Sequence, residues 1–230
     1  MPKQTFFNLP AEKREALIEV AIDEFANNDY RSASVSRIAS RAGIAKGSIY
    51  QYFEDKRDLF MYLLDLAGKE KLAFLQQTPE PGTNFFDYLR WLTAGGARAT
   101  IAHPRLAQVG YRAYYGDLPF HDEALARLKE MSLRFVGQLV KEAIAKGDID
   151  PEIDPELAVF VVNTLISELG NFIFRRQGLD PQRLGREGHE AVDMDLVEGV
   201  FDDFVRVLQY GLANRSQENW RPTAATRRDR

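Results

Sequence analysis

Apolar residues recur at helical spacing along nearly the whole chain. The first stripe runs from Leu17 through Ile18, Ala21 and Ile22 to Phe25, and acidic residues occupy the opposite face. No segment shows the two-residue alternation that is typical of a strand. The pattern therefore predicts an all-α fold of about nine helices.

The predicted helices fall into two groups of different length. The first begins after Pro10 and ends near Asn27. The others cover residues 34–41, 45–52, 56–76, 84–101, 105–115, 121–146, 155–177 and 194–213. The first three are short, so residues 1–55 are interpreted as one domain and residues 56–214 as a second, larger one. Periodicity is lost beyond that point, which predicts a disordered tail over residues 215–230.

Composition narrows the class of protein. The 230 residues are 45% hydrophobic and 28% charged, which is typical of a soluble globular protein. The chain has no cysteine, which excludes disulfide scaffolds, thiolate zinc sites and iron–sulfur clusters. It has neither 18 consecutive apolar residues nor the apolar run of a signal peptide, so a cytoplasmic location is predicted.

Sequence signatures of catalysis and metal binding are missing. His103, His121 and His189 lie far apart, and no protease, hydrolase or nucleotide-binding motif is present. The aspartates of residues 148–154 lack the glycine of a calcium loop and are interrupted by prolines, so this stretch is interpreted as an interhelical loop. We expect no enzyme activity, no cofactor and no metal.

Residues 34–53 have the spacing of two short helices that cross through a tight turn. Ala39 is small where the backbones approach, Gly43 permits a positive φ in the turn, and Ile49 holds the two helices together. Ser34 is a good N-cap for the first helix. The second helix presents polar and aromatic side chains on its free face.

Positive charge is concentrated in the same stretch. From Arg31 to Phe53 there are four basic residues and no acidic one, in a chain with a net charge of -4. A protein that reads DNA needs such cations for phosphates and a narrow helix face for base edges. A helical hairpin with a solvated basic face has the same pattern and is the alternative. The predicted DNA-contacting residues are Ser34, Ser36, Arg37, Lys46, Gly47, Ser48, Tyr50, Gln51, Tyr52 and Lys56.

The segment SVSRIASRAGIAKGSIYQYFEDKRDL, residues 34–59, resembles the DNA-binding signature of the TetR family of one-component helix-turn-helix transcriptional regulators. Three positions depart from the family pattern. Ala45 replaces the serine that often caps the second helix, and Asp29 stands before Tyr30 where glycine is usual. Arg57 follows Lys56 where an acid is common. The matching positions are Ile38, Ala39, Ala42, Gly43, Gly47, Ile49, Tyr50, Tyr52, Phe53, Lys56 and Leu59.

The resemblance implies a sequence-specific regulator that acts as a homodimer on double-stranded DNA. It implies a repressor that a small, moderately hydrophobic effector releases from a palindromic operator, with no membrane partner. The effector itself is unknown. The alternative is an architectural factor, or one controlled by a protein partner, with no small-molecule effector.

The two last long helices are candidates for the dimer interface. The helix at 155–177 is apolar almost all round, which is expected if one side faces its own domain and the other a partner. A bundle closed within one chain is the alternative. The predicted interface residues are Phe160, Ser167, Gly170, Phe174, Phe201, Phe204 and Leu208.

Effector-binding residues are predicted from aromatic clusters and from polar residues in apolar helical surroundings. A small-molecule site is usually an apolar cavity with a few convergent polar groups. An aromatic stripe at helical spacing is also typical of a packed core. The predicted effector-binding residues are Phe85, Trp91, Arg98, His103, Tyr111, Tyr114, Tyr115, Asn163, Glu168 and Asn171.

Overall fold

The computed structural model of the chain describes residues 1–75, 83–179 and 192–212, and these residues form helices and no strands. The all-α prediction is confirmed, and each predicted helix agrees with an observed one to within one residue at either end. The predicted tail lies outside the described residues. The ten helices of the described residues are α1 (Gln4–Phe7), α2 (Ala11–Asn27), α3 (Val35–Arg41), α4 (Lys46–Tyr52), α5 (Lys56–Leu75), α6 (Phe85–Ala102), α7 (Pro104–Tyr115), α8 (His121–Lys146), α9 (Pro155–Gln177) and α10 (Met194–Leu212).

Helix α1 was not predicted, because four residues are too few to show a helical period. It is held by Phe6, which is completely buried. The ring of Phe6 lies 4.9 Å from that of Phe53 and 5.3 Å from that of Tyr62. The N-terminal residues are therefore anchored between α4 and α5 by aromatic packing.

The aspartate-rich stretch between α8 and α9 is the predicted interhelical loop. Gly147 ends α8 with a φ of 83°, a conformation that glycine adopts without strain. Asp154 caps α9, since its Oδ1 accepts hydrogen bonds from the backbone N–H groups of Glu156 at 2.8 Å and Leu157 at 3.0 Å. Asp148 accepts from the N–H of Phe85 at 2.9 Å and so ties the loop to the start of α6.

The N-terminal helices share one hydrophobic core with α5 and α7. Phe25 of α2, Phe60 of α5 and Val109 of α7 are all completely buried in this core. No packing boundary therefore falls at residue 55. The division into residues 1–55 and 56–214 stays a prediction from the sequence pattern.

A second core joins α6, α8, α9 and α10. Leu89, Val140 and Val205 are completely buried in it, from α6, α8 and α10 respectively. At the surface, Arg90 of α6 bonds Asp202 of α10 with a distance of 2.7 Å between Nε and Oδ1. The C-terminal helices thus form a bundle with its own apolar centre.

The buried Phe6 gives a direct test of the role of α1. We expect Phe6→Ala to lower the free energy of unfolding by about 3–5 kcal/mol, because it removes a fully buried ring and leaves a cavity. Phe7→Ala is the matched control, since Phe7 is 48% exposed and its loss should cost far less. Urea denaturation measures both, and equal effects of the two variants would contradict this packing.

Candidate DNA-binding surface and ligand cavity

Helices α3 and α4 form the predicted helix-turn-helix. Gly43 has a φ of 68° in the turn, and the N–H of Ile44 bonds the carbonyl of Ala39 at 3.0 Å. Ile38, Ala39 and Ile49 are at most 1% exposed, so these three side chains form the contact between the helices. The scaffold positions of the sequence pattern therefore have the packing roles that were predicted for them.

The two helices are capped differently at their N-termini. The Oγ of Ser34 accepts a hydrogen bond from the N–H of Arg37 at 3.3 Å, as expected of an N-cap. The N–H of Ser34 donates to Oε1 of the buried Glu24 at 2.8 Å. Ala45 caps α4 without any side-chain hydrogen bond.

The C-terminus of α4 is held by the N-terminal residues instead. The ammonium of Lys3 donates to the carbonyl of Tyr50 at 3.0 Å, and its backbone N–H donates to the carbonyl of Tyr52 at 2.8 Å. The hydroxyl of Thr5 donates to the carbonyl of Gln51. Three carbonyls that a helix end leaves without intrahelical partners are thus satisfied. Sequence reasoning missed this contact because it joins residues that are almost fifty positions apart.

The free face of α4 carries most of the predicted DNA contacts. Lys46, Gly47, Tyr50 and Gln51 are exposed, and Ser48 is half-buried. On α3, the predicted contact Ser36 is also exposed. These residues form the candidate DNA-binding surface.

The positive charge of this region is largely neutralised by acids from elsewhere in the chain. Of its four basic residues, Lys46 alone has no ion pair with any residue that the structure describes. The hydrogen bond from Arg41 lowers the pKa of Asp23, so this carboxylate is charged near neutral pH. The ion pairs are Arg31 with Asp117 at 3.1 Å, Arg37 with Glu24 at 2.5 Å and Arg41 with Asp23 at 2.7 Å.

Lys56, which the sequence predicts as a phosphate contact, makes several contacts within the protein. Its ammonium donates to the carbonyls of Tyr30 at 2.6 Å and Ala33 at 3.0 Å, and lies 4.4 Å from the centre of the Tyr30 ring. Burial lowers the pKa of Lys56. The structure therefore uses Lys56 to fix the loop between α2 and α3. Tyr52 is also turned partly inward, with its ring 6.4 Å from that of Phe6.

A cavity of about 410 Å³ lies among the C-terminal helices, with walls from α5 to α10. Four of the predicted effector-binding residues line it: His103, Tyr111, Tyr114 and Tyr115. Burial raises the pKa of all three tyrosines, that of Tyr115 to about 12 with smaller contributions from the neighbouring phenols and from Glu168. The phenols are therefore neutral at physiological pH.

Five of the other six predicted effector-binding residues do not line the cavity. The side chain of Arg98 lies outside the described part of α6. The remaining five pack or bond elsewhere. Phe85 is buried in the second core, and the ring of Trp91 is tilted against that of Tyr88 with 5.7 Å between their centres. Asn163 accepts a hydrogen bond from the hydroxyl of Ser132 at 2.7 Å, and Asn171 donates one to Glu168 at 3.0 Å.

Most of the predicted interface residues face inward. Phe174, Phe201, Ser167 and Gly170 line the cavity, and Leu208 is buried in the second core. Phe204 is half-buried, whereas Phe160 is 63% exposed. The sequence could not distinguish the two sides of an almost wholly apolar helix. The large apolar side chains that α9 and α10 expose are Leu157, Phe160, Leu165, Phe172, Val207 and Tyr210.

Sequence reasoning also missed Lys71, whose side chain lines the cavity. The available signal was its position on the apolar stripe of α5. It follows the buried Leu64 by seven residues and the cavity-lining Ala67 by four, which places all three on one helix face.

Helix α7 connects the cavity to the DNA-binding helices. Its tyrosines line the cavity, whereas Arg112, which is 3% exposed, reaches the other way. The guanidinium of Arg112 bonds the carboxylate of Asp29 at 2.6 Å and the carbonyl of Ala26, near the end of α2, at 3.0 Å. Tyr115 lines both the cavity and a groove at this junction.

Comparison with known proteins decides the family. Residues 17–63 match the family model of bacterial regulatory proteins of the tetR family, and residues 83–213 match that of the tetracyclin repressor-like C-terminal domain. The chain belongs to the TetR family. It is therefore a DNA-binding transcriptional regulator, and not an enzyme.

Solved structures and curated relatives agree with this assignment. A TetR-family transcriptional regulator from Chloroflexus aurantiacus is 44% identical, with 94% of this chain and 100% of that chain covered and a TM-score of 0.66. The transcriptional repressor KstR2 of Mycolicibacterium smegmatis is 29% identical over 151 residues, which cover 64% of this chain and 73% of the relative. FadR of Bacillus subtilis, solved with stearoyl-CoA, shares the fold at 20% identity, 81% and 97% coverage and a TM-score of 0.58.

The departure of Asp29 from the TetR-family pattern has a structural explanation in this chain. A glycine at this position has no carboxylate to pair with Arg112. The side chain of Asp29 is 77% exposed, so pairing with the buried guanidinium leaves its other oxygen in contact with water. The contact between α7 and the DNA-binding helices therefore includes an ion pair that a glycine at position 29 could not form.

Arg112 and its neighbour Arg105 give a matched pair of variants. Arg112→Met should lower the free energy of unfolding by about 1–3 kcal/mol, because the carbonyl of Ala26 loses a buried donor. Arg105→Met removes the ion pairs of an exposed guanidinium with Glu19 at 3.0 Å and Asp23 at 3.6 Å, and it should cost less than about 1 kcal/mol. Chemical denaturation measures both, and an Arg112 variant as stable as the control would show that this junction contributes little.

Proposed function

We propose that this TetR-family regulator is a dimeric cytoplasmic repressor, which binds a palindromic operator and releases it when a small, moderately hydrophobic ligand occupies the cavity. The observation that carries the proposal is the position of α7. One side of this helix lines the cavity, and Arg112 on the other side bonds the end of α2 and Asp29.

The exposed face of α4 is the proposed reader of the operator. Lys46 offers an ammonium to phosphates, and the amide of Gln51 can bond base edges in the major groove. Tyr50, which is 43% exposed, adds a hydroxyl and a ring beside them. Ser36 and the backbone of Gly47 extend this surface. Ser34, Arg37, Tyr52 and Lys56 are left out of it, because contacts within the protein engage them.

A second copy of the chain is the proposed partner of α9 and α10. Helix α9 is apolar and long enough to cross a membrane, yet only 22% of its most apolar window is buried. Its other side packs on α8 and α10, which favours a protein partner over lipid. Two-fold pairing would place two copies of α4 in successive major grooves about 34–36 Å apart, and this explains the expected palindrome.

The cavity supports control by a ligand. Its volume of about 410 Å³ is within the usual range of small-molecule sites, about 300–1,000 Å³. The structural relative FadR was solved with stearoyl-CoA, a ligand with a long apolar chain. A ligand of this amphipathic kind suits a cavity whose walls are mostly aliphatic and aromatic.

The proposed coupling runs through α7. A ligand that contacts Tyr111, Tyr114 and Tyr115 can shift this helix, and Arg112 transmits the shift to α2 and the helix-turn-helix. The effect on operator binding is limited to the ligand's preference for one of the two conformations. An architectural or partner-controlled factor without a ligand is the alternative, and the open cavity favours control by a ligand over it.

Substitutions on α4 test the DNA-binding surface. We expect Lys46→Ala and Tyr50→Ala to weaken binding to an operator fragment selected from random DNA by about ten-fold or more each. Lys46→Ala would remove a phosphate contact, and Tyr50→Ala would remove a contact in the groove. Gel-shift titration at fixed salt measures the affinity.

Lys141→Ala is the matched control for these variants, because Lys141 is an exposed lysine of α8. It should leave the affinity unchanged, and all variants should have the oligomeric state of the unmodified protein. Unchanged operator affinity of both α4 variants would contradict the assignment of this surface.

Charge placed on the exposed face of α9 and α10 tests the dimer. We expect Phe160→Glu combined with Val207→Glu to convert a dimer into a monomer, because burying two unpaired carboxylates in an apolar interface is unfavourable. Analytical ultracentrifugation measures the mass. Ala126→Glu, on an exposed position of α8, is the control and should remain dimeric. A double variant that still sedimented as a dimer would exclude this face as the interface.

A further inference from the structure

Lys71 is a cationic residue in a cavity wall that is mostly aliphatic and aromatic. It continues the face of α5 that carries the buried Leu64 and the half-buried Ala67, and its own side chain is exposed beside the cavity. Its Cε would be 3.8 Å from a Cβ built on Gly96 of α6, so the side chain extends across the cavity wall towards the neighbouring helix. The ammonium is therefore accessible to a ligand in the open cavity.

No acid of the described residues pairs with this ammonium. Glu70 also lines the cavity, but adjacent residues of a helix do not face each other. The carboxylate of Asp65, also on α5, does not line the cavity and is held by Arg127 through two hydrogen bonds of 2.6 and 2.7 Å. Burial lowers the pKa of Lys71, and no neighbouring carboxylate opposes this effect. The side chain is nevertheless exposed by its accessible surface, so the groups that surround it lie mainly at the wall of an open cavity.

Apart from the three phenols and His103, the polar side chains of the wall offer few hydrogen-bond donors to a ligand. The hydroxyls of four lining residues already donate within the protein. An ammonium group retains three donors and requires an acceptor, most favourably an anion. The four internal bonds run from Thr93 to the carbonyl of Leu89, from Thr100 to that of Gly96, from Ser132 to Oδ1 of Asn163 and from Ser167 to the carbonyl of Asn163.

We propose that Lys71 is the counter-ion for the carboxylate of an amphipathic ligand, whose apolar chain occupies the rest of the cavity. This inference rests on the proposed function, since it specifies the chemistry of the ligand in the same cavity. The carboxylate restores the pairing that the lysine lacks. The apolar chain of the ligand contacts aliphatic and aromatic residues of α6 to α10, among them Leu92, Met131 and Phe135.

Binding of three dodecyl compounds by isothermal titration calorimetry tests the proposal. Dodecanoate should bind the full-length protein at least about ten-fold more tightly than methyl dodecanoate or dodecylamine, because only dodecanoate carries the anion. Lys71→Met should remove this preference while leaving the affinity for methyl dodecanoate within about two-fold. Lys71→Arg should retain it.

Lys69→Met is the matched control, since Lys69 is an exposed lysine of the same helix that does not line the cavity. Retained operator affinity and an unchanged thermal transition of the Lys71→Met variant show that it folds. Equal binding of dodecanoate and its methyl ester by the unmodified protein overturns the inference, and so does binding of none of the three compounds. The regulator function has a separate test in the α4 variants. The inference about Lys71 and the proposed function can therefore fail independently.

Discussion

The contact between the buried guanidinium of Arg112 and the end of α2 is the interaction on which the functional architecture depends. It places a charged group of the cavity-lining helix against the DNA-binding unit, with a carboxylate and a backbone carbonyl as partners. Because the N-terminal helices share their core with α5 and α7, a displacement of α7 cannot be absorbed at a loose domain boundary. The fold thus connects the cavity and the DNA-binding helices through packed helices, in which small shifts favour discrete rearrangements.

Local features of this fold could be predicted from the sequence because they depend on neighbouring residues. Helical periodicity predicted nine helices, and the Ala39, Gly43 and Ile49 spacing predicted the helix-turn-helix. The charge argument failed in part because it counted residues along the chain. Arg37 and Arg41 pair with acids of α2, which the sequence does not place beside them. The inward orientation of Lys56 likewise depends on a loop that the fold brings to it.

The candidate cavity was predicted only in outline for a related physical reason. Aromatic residues at helical spacing can face a core or a cavity, and Phe85 proved to face a core whereas Tyr111 faces the cavity. What opens the cavity is small residues at positions where larger ones would fill it. Glycine in a helix is unfavourable by about 1 kcal/mol relative to alanine. Gly96, Gly110 and Gly170 nevertheless occupy helical positions that line the cavity.

The central claim is that ligand binding in the cavity and operator binding by α4 oppose each other through α7. Reciprocity makes the most direct measurement a pair of titrations: operator affinity with and without saturating dodecanoate, and dodecanoate affinity with and without saturating operator. Linkage requires the two affinities to fall by the same factor, which is typically about 5- to 150-fold for coupled sites. Dodecanoate that binds equally well to free and operator-bound protein would contradict the account.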